Sequence, residues 1–293
     1  MDTVDIVGLL APITYFVFLI TEKMWPARTF PPRKGWQWIG IGFLILIGAI
    51  SSVTPLMIPA EWLNAHRWLD GTKLGVGGGA IVGFVVMEGA ICAIHRAAHN
   101  VGFMWRGYHQ FHHSSNRVDI PGSVLFHPIE MLVQVALQLF VTVIVLGLEP
   151  LAAAIVGYLL AAAGMFQHSP QWLGYLIQRP ESHCVHHRQG LHYYNYSDLP
   201  IYDMLFGTFR NPRAFRGECG FENGADRELG AMLAFADVNA PLYGTRQPGC
   251  EAASCRRGSC QLKRLTFAAM DPGEYCRPNA PLRDWARRSA GRD

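Results

Sequence analysis

The sequence predicts an all-α fold: an integral membrane bundle of about 4–5 membrane helices, a helical histidine-bearing cap on the cytoplasmic side, and a polar C-terminal tail. Three observations carry this. The chain of 293 residues is 50% apolar and only 16% charged, against about 25% charged in ordinary soluble proteins. Of its 47 Asp, Glu, Lys and Arg residues, 24 lie in 205–293, so the rest is poor enough in charge to live in lipid. Five apolar stretches approach the roughly 20 residues that cross about 30 Å of hydrocarbon. A mean hydropathy of +0.14 excludes a disordered chain. A net charge of +3, with no basic run interleaved with aromatics, gives no reason to expect nucleic acid.

The expected spans are Val4–Thr21, Trp38–Ile58, Leu74–Ile94, Pro128–Leu146 and Leu151–Gln167. The first has no basic flank and no small-residue cleavage site, and it starts with Asp2 and Asp5, so it reads as a retained helix rather than a signal peptide. The third is rich in glycine (Gly75, Gly77, Gly78, Gly79, Gly83, Gly89), which in lipid lets neighbouring helices approach closely. The last two are joined only by Gly147-Leu148-Glu149-Pro150 and form a hairpin. Lys23, Arg28, Arg33 and Lys34 crowd the first loop, which places it in the cytoplasm. Counting crossings from there puts 95–127 and everything after 167 on the same side, where Arg96, Arg106, Arg117, Arg179 and Arg188 fall. The expected organisation is 1–73 as N-terminal membrane helices, 74–210 as the catalytic domain and 211–293 as a cytoplasmic tail.

Nine of the 12 histidines fall in two short windows. His95 and His99 are an i, i+4 pair, one above the other on a helix. His109, His112 and His113, and again His183, His186 and His187, stand at i, i+3 and i+4. Neutral imidazole is a favoured ligand for transition metals. On the expected topology all eight gather at one membrane face, with His127 and His168 as further candidates at helix ends. One ion cannot use so many, whereas a two-metal centre can. His66, in the outer loop, reads as a surface residue, and His192 fits no helical face with the others. Glu88 lies seven and eleven residues before His95 and His99, on one stripe of the helix. It is expected to orient a ligand histidine through its ring N–H, the alternative being a pair with an interfacial arginine.

The ordered motifs HRAAH (95–99), WRGYHQFHHSS (105–115), HPIE (127–130), QHS (167–169), HCVHH (183–187) and NYSDLPIYDMLFGTF (195–209) resemble the membrane fatty acid hydroxylase and sterol desaturase superfamily over about residues 84–210. The resemblance implies a non-haem di-iron enzyme that uses O₂ to hydroxylate or desaturate a lipid such as a fatty acyl chain or sterol. It implies iron ligands at His95, His99, His109, His112, His113, His127, His168, His183, His186 and His187, and a supporting role beside them for Asp203. Where members often carry Asp seven residues before the first histidine, this chain has Glu88, and Cys92, Ala93 and Ile94 replace aromatics.

The implied chemistry needs two iron ions, O₂ as co-substrate and a lipid drawn from the bilayer. There is no glycine motif for NAD(P)H or flavin, so electrons must come from a separate donor. The resemblance implies a ferredoxin, or a cytochrome b5-like protein with its reductase. The rival class is a membrane metal-ion transporter or metal-binding membrane protein, which would set histidines and carboxylates near the midplane. A structural zinc protein fits less well, because such sites close on four ligands. In the tail, Cys250, Cys255, Cys260 and Cys276 lack the interval of a plant-type iron–sulfur site and read as free thiols.

Overall fold

A computed structural model describes residues 2–26, 28–168, 176–221 and 224–238. They belong to a compact unit spanning Met1–Asn239. The four cysteines named in the tail lie outside the described residues. Among those residues there is no strand, and one isolated bridge joins Arg188 to Cys219.

Five helices are long and apolar enough to cross a membrane: Thr3–Met24, Trp36–Met57, Gly71–Asn100, Pro128–Val145 and Pro150–Gln167. They are called the first to fifth spans. The first opens on a reciprocal cap in which the Asp2 and Asp5 side chains each accept the other's backbone N–H at 2.9 Å. Those two acids therefore satisfy the helix end. The second begins after Gly35, held at φ +72°, a conformation that favours glycine. The fourth starts with Pro128 at its first position, suited to the fixed φ of proline, and its last turns widen into a π-helix over Phe140–Val145.

The third span packs against the fifth through its small residues. A Cβ on Gly83 would lie 2.7 Å from Leu148 and Val156, and one on Gly79 would lie 3.1 Å from Ala152. Gly77 faces open space, so the glycine stripe serves close approach only in part. Met87, Val141, Leu146, Leu148, Ala152 and Val156 form the apolar centre of this contact. Large side chains such as Ile13, Trp38, Ile45 and Ile81 point outward, as lipid-facing positions do.

A cap built from short helices covers one end of the bundle. Its anchor is Asp119, buried, whose carboxylate accepts from Trp36 Nε1 at 2.8 and 3.0 Å, from Arg117 and from the Gly122 N–H. Arg117 also donates to the Pro31 carbonyl, and Arg28 to the Cys184 sulfur. The loop between the first two spans thus clamps onto both histidine-bearing segments, at the same end of the bundle. Residues 211–221 and 224–238 contribute to the cap: Phe221 and Met232 are buried with Trp36, Trp105, Phe111 and Leu125. Cys219 is a buried free thiol.

The second span meets the cap at Gly40, where an added Cβ would lie 2.8 Å from the Pro121 Cα and 2.5 Å from the Tyr15 hydroxyl. Gly40→Ala is expected to destabilise the protein by about 1–3 kcal/mol through overpacking, while Gly42→Ala, which meets nothing within 4 Å, leaves it unchanged. Melting curves of the two variants in detergent check this; equal melting temperatures would contradict the packing.

Candidate metal centre

The structure sorts nine histidines into two sets whose donor atoms lie within 4.8 Å of one another. The first holds His95, His99, His109, His113 and His186, and the second His112, His168, His183 and His187. The triplets are divided crosswise. On one helix face, i and i+4 point together while i+3 leans aside. His109 and His113 accordingly join the first set and His112 the second, whereas His183 and His187 join the second and His186 the first. A π-helical turn over Trp105–His109, ending on His109, feeds directly into the Gln110–His113 helix that carries His112 and His113. The sets abut, with His113 stacked on His187 at 4.3 Å between ring centroids.

The outer nitrogens are held by acceptors. His95 Nδ1–H donates to the Tyr196 carbonyl at 2.7 Å, His186 Nδ1–H to the Tyr194 carbonyl at 2.7 Å and His112 Nδ1–H to the Leu125 carbonyl at 3.2 Å. His109 meets Glu130 Oε1 at 2.7 Å and His183 meets the Gln178 amide oxygen at 3.1 Å. A carbonyl can only accept, so the proton of a neutral ring sits on Nδ1 and Nε2 is left as a bare lone pair. These Nε2 atoms face one another. His99 Nε2 lies 3.3 Å from that of His95 and 3.0 Å from that of His109, and one proton on His99 can serve only one of them. His183 Nε2 lies 3.0 Å from both His168 and His187, and His186 Nε2 lies 3.0 Å from His113.

Protonation is a poor remedy. Burial pushes the His109 pKa down to about 3. In His112, His113, His168, His183, His186 and His187 burial first, and then the neighbouring rings, hold the pKa well below its usual range. Neutral imidazoles converging in a dry site fit a transition-metal cation, and each set could hold one.

Glu88 and His127 meet other partners than expected, while Asp203 stands one residue behind the site. Glu88 does not touch a histidine or an arginine; its Oε2 accepts from Ser197 Oγ at 2.9 Å and from the Leu199 N–H at 3.0 Å. Helix periodicity gave its face correctly, but that face is met by the 197–199 loop. His127 belongs to neither set. It caps the fourth span, its Nδ1 accepting the Ile129 N–H at 3.1 Å, and that bond occupies the lone pair a metal would need. Asp203 accepts the N–H groups of Tyr196 and Ser197 at 3.0 and 2.9 Å and the Thr208 hydroxyl at 2.6 Å. It braces the loop whose Tyr196 carbonyl holds His95. His168 is in the second set. His192 is buried beside His113, with ring centroids 4.8 Å apart, and its Nδ1 meets the His186 carbonyl at 3.2 Å. His66 is exposed and bonds to the Trp62 carbonyl. The residue that sequence reasoning missed is Glu130, the acid that does orient a site histidine. Its signal was present in the HPIE motif, in the first turn of the fourth span.

Residues 80–208 match the family described as fatty acid hydroxylase. The chain is similar to the ornithine lipid hydroxylase OlsE of Rhizobium tropici, with 27% identity over 223 residues. That alignment covers 68% of this chain and 65% of the relative, so the chain matches just under two thirds of the relative's length. No solved structure matches. The family and the relative bear out the resemblance drawn from the histidine motifs.

Because His109 depends on Glu130, Glu130→Ala is expected to weaken metal binding by about 10–100-fold, the usual cost of losing such a partner. Metal retained by purified protein across a chelator series measures this. Retention equal to that of the unmodified chain would remove Glu130 from the centre.

Proposed function

We propose that this protein is an O₂-dependent, non-haem di-iron oxygenase of the membrane that hydroxylates an unactivated C–H bond of a lipid. The observation that carries the reading is the division of nine imidazoles, eight of them buried and His95 half-buried, into a set of five and a set of four. The family match and the hydroxylase relative support lipid hydroxylation as the reaction class. Iron suits imidazole-rich sites that leave positions open to oxygen. His95, His99, His109, His113 and His186 would hold one ion, and His112, His168, His183 and His187 the other.

Bound iron would supply the reduction of O₂ and the oxidation of carbon. In the overall reaction one oxygen atom enters the C–H bond and the other leaves as water, with two electrons and two protons drawn from a donor. The chain's own part is to orient and exclude. Glu130, Gln178 and the carbonyls of Leu125, Tyr194 and Tyr196 fix the rings, so that each Nε2 points inward. Burial keeps water from the reacting carbon. The lipid would enter laterally, with Phe, Trp and Leu of the third to fifth spans along its path.

Electrons would come from a separate protein, a ferredoxin or a cytochrome b5-like carrier with its reductase. The basic loop between the first two spans favours a cytoplasmic cap, which is where such carriers would reach it. The relative acts on an ornithine lipid by its name, which makes an amino-acid-containing membrane lipid the first substrate class to try, ahead of free fatty acid or sterol. A transporter would need its donors near the midplane, whereas the nine histidines sit at one end of the bundle.

Comparing the lipids of a host with and without this chain is expected to reveal a species heavier by one oxygen, which appears only in air. Loss of two hydrogens instead would mark desaturation at the same centre. His112→Ala and His186→Ala, one from each set, are expected to lower that product by more than the about 10–100-fold that losing a partner of a ligand histidine costs, with the protein still in the membrane. Unchanged product in both variants would refute the oxygenase reading, and metal flux into proteoliposomes without lipid chemistry would favour transport.

A further inference from the structure

The short helix Pro200–Leu205 is inside out by the standard of a soluble protein. Pro200 and Asp203 are buried, while Ile201, Met204 and Leu205 are 63%, 43% and 75% exposed. These three stand at i, i+3 and i+4, so they make one apolar face, and Phe206, 56% exposed, extends it. A single exposed leucine is ordinary, but a helix turning its whole apolar face outward and its carboxylate inward is not.

The position of this helix says what covers that face. Its Tyr202 donates to the Val85 carbonyl, and its ring lies about where a Cβ on Gly89 would fall, 2.9 Å from one. Counted from Gly71, the about 20 residues that cross the hydrocarbon run to about residue 90, so Val85 and Gly89 fall inside it. The outward face of the third span at this level includes Val82, Val85 and Val86, all exposed. The Ile201–Leu205 face continues a surface that already meets lipid.

The backbone N–H groups beside it find partners within the protein, as non-helical chain at membrane depth requires. The N–H groups of Tyr196 and Ser197 go to Asp203 and that of Leu199 goes to Glu88. Gln167, at the end of the fifth span, donates to Asp198. Arg96 closes the arrangement, its guanidinium 5.3 and 5.4 Å from the Tyr196 and Phe206 ring centres.

We propose that residues 196–206 form a re-entrant foot whose Ile201, Met204 and Leu205 lie against the acyl chains of the bilayer. The foot stands two hydrogen bonds from the histidines, through Asp203 to the Tyr196 backbone and from the Tyr196 carbonyl to His95. Glu88 and Asp203 thereby gain a shared purpose: they satisfy the buried backbone of a segment that enters lipid. The inference rests on membrane insertion alone and not on the reaction.

The test uses the full chain in phosphatidylcholine nanodiscs, with the photo-crosslinker p-benzoylphenylalanine introduced singly at Ile201, Met204 or Leu205. Ile45, exposed on the second span, is the lipid-facing control and Glu228, exposed on the cap, the water-facing one. After irradiation, intact-mass spectra are expected to show lipid adducts at the three foot positions about tenfold or more above Glu228, as for Ile45. Adduct yields equal to that of Glu228, or cross-links to a second copy of the chain, would overturn the proposal. The three positions are exposed, so the added ring displaces no packing, and agreement among them guards against one variant that fails to fold.

Discussion

Bare imidazole nitrogens forced to face one another at about 3 Å in a dry interior set the terms for the rest of this molecule. Such an arrangement is repulsive until a cation sits among the lone pairs, and it persists only if the surrounding chain holds every ring in place. That need explains the dense outer layer of carbonyls, the Gln178 amide and the Glu130 carboxylate. It also explains the crosswise division of the triplets. The 109–113 and 183–187 segments each serve both sets, so neither segment can shift without disturbing both.

The cap is fastened to the membrane helices by polar contacts that would be costly to break at the lipid boundary. Asp119 gathers Trp36 from the second span, Arg117 and a backbone N–H, and Glu22 at the end of the first span accepts the Ile120 N–H at 2.8 Å. A buried carboxylate left without donors costs several kcal/mol, and here Asp119 and Glu22 tie the segment just after the first histidine triplet to the first two spans. Glu88 and Asp203 follow the same logic on the other side of the site.

Much of this was legible in the sequence, for definite physical reasons. The spans could be read because lipid demands long apolar stretches, and the observed helices depart from the expected ones by a few residues, mostly at their polar ends. The eight box histidines could be found because i, i+3 and i+4 spacing survives any packing. The crosswise division could not, because it depends on how two remote helices face each other across the site. Glu88 was assigned to the correct face but the wrong partner, since periodicity gives direction and says nothing of what waits there. His127 looked like a ligand by its place at a helix end, the same place that makes it a cap. Glu130 was passed over because a carboxylate in a span gives no sign of which histidine it will meet.

The Tyr194–Tyr196 loop holds His95, from the third span, and His186, which follows the fifth, by two carbonyls only two residues apart. The first set therefore has no complete form until synthesis has passed Tyr196 and the fifth span is inserted. A nascent chain halted earlier exposes five histidines, His95 to His113, without the partners that aim them. Any metal that these sets take up would therefore be loaded late in biogenesis, and a chain whose last hairpin has not matured would present loosely directed imidazoles.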